Sequence, residues 1–202
     1  MPSLNQQIKS YIALEAARLM VEHGIQSYYH AKTKAAAILK VSDHRNLPTN
    51  LEIAQATQSY LGIFKFEMQA KTLREKYQAT LRIMDFFSAF NPRLTGDILQ
   101  GIVSKYSDIY IHVFADSEND IALFLTESYI DFKLESKTFS FTTGESKSFP
   151  VFQIIIKNLI IKLVVFPTLG IRFSPLSPID KKPMKRAKYK EVERLFKSYT
   201  QK

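Results

Sequence analysis

The sequence predicts an α+β protein in which a mixed sheet, flanked by helices, follows an N-terminal helical region. Apolar residues recur at three- and four-residue steps through roughly the first ninety positions. After Pro92 the texture turns to β-branched and aromatic alternation, and two unbroken apolar runs meet at Lys157-Asn158. The chain therefore divides into a helical region, 1–90, and an α+β region, 91–202.

Ile8, Ile12, Ala16, Leu19 and Met20 mark a helix over 4–23, stopped by His23-Gly24. "SYYHAKTKAAAILKV" gives a second, alanine-rich helix that ends before the polar turn "SDHRNLP". "TNLEIAQATQSYLGIF" gives a short third helix with Thr49 or Asn50 as its cap. Leu73, Tyr77, Leu81, Met84 and Phe87 define the longest helix, about 67–89, closed by Asn91-Pro92.

Ile98 and Leu99 read as a short strand before Gly101, "DIYIHVF" as the first strong strand, and "SENDIALFLTESY" as a helix capped by Ser117. "KTFSFTT" continues the sheet, and "KYKEVERLFKSY" is a terminal helix. "FPVFQIII" and "LIIKLVVF" form a hairpin at Lys157-Asn158, where asparagine tolerates positive φ. Their apolarity on both faces places this hairpin in the middle of the sheet.

At 202 residues and 46% hydrophobic content the chain can bury a sizeable core. It has no cysteine, which excludes disulfides, thiolate metal sites and a thiol nucleophile. "FQIIIKNLIIKLVVF" is interrupted by Lys157, Asn158 and Lys162, and no basic stretch followed by an apolar one opens the chain. The expectation is a cytoplasmic protein without a membrane partner. Histidines 23, 30, 44 and 112 lack zinc-ligand spacing, and neither a phosphate-loop nor a nucleophile-elbow motif occurs. The net charge of +9 favours polyanionic partners. Residues 181–202 hold nine Lys or Arg against Glu191 and Glu193, a run that a solvated basic helix also presents.

Alternation along "SDIYIHVF" puts Ile109, Ile111 and Val113 on a core face. Asp108, Tyr110 and His112 fall on the other, either a solvent face or one wall of a site. Gly101 precedes Asp108 by seven residues, with Ser104 and Ser107 between, and a glycine at a strand-to-helix turn, with a short helix after it, lets backbone N–H groups approach a phosphate. With "PRLTGDILQG" before it and "SPLSPIDKKPMKRA" after, the pattern resembles the bacterial predicted nucleotidyltransferases of the nucleotidyltransferase superfamily, over most of the chain. The resemblance implies a nucleotidyltransferase-like mixed sheet and magnesium as cofactor if the protein is active. It implies nucleotide or RNA as partner, with DNA less favoured. Carried onto this chain, Gly101, Ser104 and Ser107 would lie at the phosphates, and Asp108 would be the catalytic, metal-binding carboxylate. Tyr110, His112 and Lys162 would line the site, with Lys182, Lys185 and Arg186 supplying cations beside it.

The chain departs from the family pattern at three places. Tyr110 stands at the second carboxylate position and is neutral at pH 7, Ile102 replaces the serine after the glycine, and Lys162 stands at the third carboxylate. Lys162 is either a mark of decay, its ammonium reaching water, or a fixed positive charge for a phosphate. Alternatively Asp116, Asp131 or Glu135 supplies a ligand that this alignment misplaces. The expected function is a nucleotidyltransferase-fold protein with a degenerate metal site and no cofactor, acting as a nucleotide- or RNA-binding or interaction module. The alternatives are an active magnesium-dependent nucleotidyl transferase and a helix-turn-helix regulator built on "EAARLMVEHGIQSYYHAKTKAAAILKV".

Overall fold

A computed structural model describes residues 4–41, 47–64 and 66–199. Most of the turn expected at "SDHRNLP", with His44, lies outside the described residues. The chain forms two compact units. Among the described residues, the first comprises those up to Thr72 with 102–107 and 178–180, and the second comprises 73–101, 108–177 and 181–199.

The first unit holds helices α1 (Leu4–His23), α2 (Tyr28–Ile38) and α3 (Asn50–Phe64). Ile12, Ala13, Ala16 and Leu19 of α1 pack with Ala31, Ala35 and Ala36 of α2 and with Ile53 of α3. Alanines on both sides let the α1 and α2 backbones approach closely, because no longer side chain keeps them apart. Gly24 ends α1 at φ +71, and a Cβ there would lie 2.8 Å from Cγ of Tyr106, so this position needs glycine on two counts. The Ser27 hydroxyl caps α2 by accepting the His30 N–H at 3.3 Å. Thr49 and Glu52 cap α3 reciprocally: the Thr49 N–H donates to Oε2 of Glu52 at 2.7 Å and the Glu52 N–H to Oγ1 of Thr49 at 3.2 Å. So capped, α3 runs 15 residues rather than the short helix expected.

Helix α4 (Phe66–Phe86) leads into the second unit and is followed by a 3₁₀ turn, Ser88–Phe90, which left-handed Asn91 ends before Pro92. The unit's five strands are β1 (Arg93–Thr95), β2 (Ile109–Phe114), β3 (Phe132–Ser140), β4 (Ser146–Ile156) and β5 (Leu159–Phe166). They form one mixed sheet in the order β1-β2-β5-β4-β3, parallel only between β2 and β5. Helices α5 (Glu118–Glu127) and α6 (Tyr189–Ser198) complete it, α5 being capped by the Ser117 hydroxyl. The α+β class and the central place of the "LIIKLVVF" strand agree with the sequence reading, and the "DIYIHVF" strand lies parallel beside it. Lys157 and Asn158 both take positive φ, as a two-residue hairpin turn requires.

Three local expectations fail. Ile98 and Leu99 lie in a 3₁₀ turn, Asp97–Gln100, not in a strand. Gly96 and Gly101, both at positive φ, bracket those four residues and leave no room for extension, so Arg93–Thr95 pairs with β2 instead. No helix follows Gly101, because 102–108 run through turns and irregular chain. The apolar hairpin is not covered throughout: Ile155, Ile156 and Ile160, beside its turn, are exposed.

Candidate functional site

Register settles which residues meet. Paired residues of neighbouring strands share a face, so Tyr110, Lys162 and Gln153 form one transverse row on β2, β5 and β4. His112 and Val164 form the next row and Phe114 and Phe166 the one beyond it. Lys137 of β3, partner of Phe149, and Thr95 of β1, partner of Tyr110, also lie on this face. It is not a solvent face at β2, since His112 is 1% exposed.

At the N-terminal end of β2 the carboxylate of Asp108 pairs with the Lys162 ammonium at 3.2 Å, its side chain 7% exposed. The Lys162 ammonium also lies 5.6 Å from the centre of the Tyr110 ring. Burial alone would lower the Lys162 pKa, but Tyr110 and the Asp108 carboxylate hold it above the ordinary lysine value. Burial raises the Tyr110 pKa, so its phenol stays neutral. The Lys137 ammonium lies 4.6 Å from the centre of the Tyr110 ring, and desolvation together with repulsion from Lys162 lowers its pKa. Lys76 of α4 is 3% exposed, within electrostatic reach of Asp108, and desolvation lowers its pKa too.

Asp97 completes the cluster. Burial raises its carboxyl pKa while Lys137 opposes the shift, and a Cβ on neighbouring Gly96 would lie 3.7 Å from the Tyr110 Cβ. Asp97, Asp108, Lys137 and Lys162 thus surround one neutral phenol, and Lys76 lies within reach of Asp108. Such a group attracts a small anion more readily than a cation. Among the described residues there is no group of three His, Cys, Asp or Glu able to hold a metal ion.

Of the sequence candidates, Asp108, Tyr110 and Lys162 come together. His112 lies one row further along and accepts the Nε–H of Arg186 at Nδ1, 2.9 Å away. Arg186 also donates to the carbonyls of Gly170 and Phe173, at 2.8 and 3.1 Å. Lys182 and Lys185 are exposed, and the Lys185 carbonyl accepts from the Thr95 hydroxyl at 2.9 Å. Gly101 ends the 3₁₀ turn at φ +74. Ser104 and Ser107 belong to the first unit, where the Ser107 hydroxyl accepts the Ser104 N–H at 3.0 Å and the Ser107 N–H donates to the Ser104 carbonyl.

Asp116 does not join Asp108, because β2 runs between them and Oδ1 of Asp116 accepts the Thr168 N–H at 2.9 Å. Asp131 and Glu135 are exposed. Sequence reasoning missed Asp97, Lys76 and Lys137. For Lys137 a signal existed, since Lys137, Phe139 and Phe141 alternate on one face of "KTFSFTT", but its register across the sheet is fixed only by the fold.

Burial, then the cations Arg186 and Lys137, push the His112 pKa well below its ordinary value of 6.5. The unfolded chain keeps that ordinary value, so above about pH 6.5 the histidine is neutral in both states and its stabilising contribution is complete. As pH falls below that point only the unfolded state takes up the proton. Stability should therefore drop by up to about 1.4 kcal/mol per pH unit. Urea midpoints at pH 6.5 and 5.5 should fall further for the wild type than for His112→Gln. Equal losses would show that His112 is not the group responsible.

Comparison with known proteins finds no matching family model, no matching curated protein and no matching solved structure.

Proposed function

We propose that this chain is a nucleotidyltransferase-like protein whose site has exchanged metal ligands for fixed lysines. It binds the phosphates of a nucleotide or RNA without metal-dependent transfer. The observation that carries this reading is the Lys162–Asp108 ion pair on the central strand pair, with Lys162 in register with Tyr110.

A two-metal site needs closely spaced anionic oxygens. Here Asp108 is paired with an ammonium, Tyr110 is neutral, and Lys76 and Lys137 add further positive charge. These residues do not fit magnesium. They do fit a phosphate, whose oxygens accept from ammonium groups and whose charge offsets the excess over Asp97 and Asp108. Exposed Lys182 and Lys185 add to the local field, and the backbone at Lys185 is tied to β1 through Thr95.

The test is calorimetry of ATP and of a short oligoribonucleotide, each in EDTA and in excess magnesium. The expected result is binding that persists in EDTA, weakens by about tenfold or more in Lys162→Gln, and falls with salt. Tight binding that appears only with magnesium, together with nucleotide transfer, would establish the active enzyme instead. Absence of binding in all conditions would remove phosphate recognition from this cluster.

A further inference from the structure

The second unit contains a cavity of about 610 Å³ that none of the lysine-cluster residues lines. Its volume lies within the range that small-molecule sites occupy. Half-buried Phe141 and Phe149 wall it, with buried Phe166 behind Phe149 at a ring separation of 4.4 Å, and Phe173 lines it while remaining 67% exposed. Thr142 and Ser174 are the hydroxyl-bearing residues beside them in the lining, with Thr143.

The cavity's charges are Glu145, Lys147 and Arg172. Glu145 and Lys147 satisfy each other at 2.8 Å, and Arg172 has no hydrogen-bond or ion-pair partner among the described residues. Arg186 reinforces the positive field: its guanidinium lies 4.8 Å from the Phe166 ring and has no carboxylate partner among the described residues. Arg186 also holds the carbonyls of Gly170 and Phe173, two lining residues, so this wall is fixed before any ligand arrives.

We infer that this cavity binds a small heteroaromatic anion of the nucleoside monophosphate type. The planar base stacks on the phenylalanine wall, its polar edge meets Thr142 and Ser174, and the phosphate pairs with Arg172. A purely aliphatic anion would leave the stacking faces and hydroxyls without use, and an uncharged aromatic would leave Arg172 unpaired. The inference is independent of what the lysine cluster binds.

The experiment is calorimetric titration with adenosine 5′-monophosphate, adenosine and inorganic phosphate. The proteins are the wild type, Arg172→Gln, Phe173→Ala and, as a control on the other site, Lys162→Gln. Arg172 and Phe173 are exposed, so both variants should keep the wild-type melting temperature. The expected result is sub-millimolar binding of the monophosphate, with adenosine and phosphate each at least about tenfold weaker. Arg172→Gln and Phe173→Ala should each weaken the monophosphate about tenfold, as the loss of an ion pair or a stacking face would; Lys162→Gln should remove only the binding event that belongs to the lysine cluster and leave the cavity's affinity unchanged. No binding to the wild type at millimolar concentration, or unchanged affinity in either pocket variant, would overturn the inference. A loss confined to Lys162→Gln would place the ligand at the lysine cluster, overturning this inference while supporting phosphate binding there.

Discussion

Replacing Arg186 with methionine is expected to destabilise the protein by about 2–4 kcal/mol. Methionine can follow the arginine stem past Phe114 and Phe166, whose ring centres lie 5.2 and 4.8 Å from the guanidinium, so little packing is lost. What it cannot replace is three donated hydrogen bonds. Nδ1 of His112 is buried beyond the reach of water, and the carbonyls of Gly170 and Phe173 lose the group that ties their loop down. An opposing effect limits the loss. Burial pulls the Arg186 pKa down to about 10, and methionine removes that buried charge. The orphaned acceptors should outweigh this gain because one lies entirely inside the core. Arg186→Lys should recover less than half of the loss, since one ammonium cannot span all three acceptors with a planar fork's geometry. Urea unfolding at pH 7.5 measures both. A methionine variant within 1 kcal/mol of wild type would mean that the loop 167–174 is held by other contacts.

The same residue shows what the sequence could and could not reveal. Local rules are written into neighbouring residues, so Ser117, Thr49 with Glu52, Asn91-Pro92 and Lys157-Asn158 each mark the element boundary that the structure has. The strands were legible for the same reason, since alternation and β-branching act within a few residues. The 3₁₀ turn at Asp97–Gln100 was not, because "DIL" is compatible with extension and only the paired positive-φ glycines decide against it.

At the site, spacing along one strand puts Asp108 and Tyr110 on one face, and the register of β5 against β2 brings Lys162 beside them. Lys137 and Lys76 arrive from a separate hairpin and from α4, through register and helix rotation that no local pattern encodes. Arg186 read as one more cation in a basic run. Only its burial against His112 distinguishes it from exposed Lys182 and Lys185.

Removing the Lys162 ammonium should be nearly as costly as removing Arg186. Lys162→Met leaves the Asp108 carboxylate buried without its nearest cation, a change that usually costs about 3–5 kcal/mol. Lys76 and Lys137 remain within electrostatic reach, and the Lys162 side chain is itself 21% exposed, so about 2–3 kcal/mol is the expected loss. The pH dependence separates this pair from a packing effect. The Lys162 pKa is raised in the folded state, so its contribution is complete below the unfolded value of 10.5 and disappears as pH rises through the folded value. The gap between wild type and Lys162→Met should therefore narrow above about pH 10.5. Lys162→Glu should be worse still at neutral pH, because it sets a second carboxylate against Asp108. Of the three proteins, this variant alone should be raised in melting temperature by manganese, since a cation relieves the new repulsion. Equal stability of wild type and Lys162→Met from pH 7 to 11 would show that the ion pair contributes nothing. A manganese effect in the wild type would show that the lysines do not exclude a cation from the cluster.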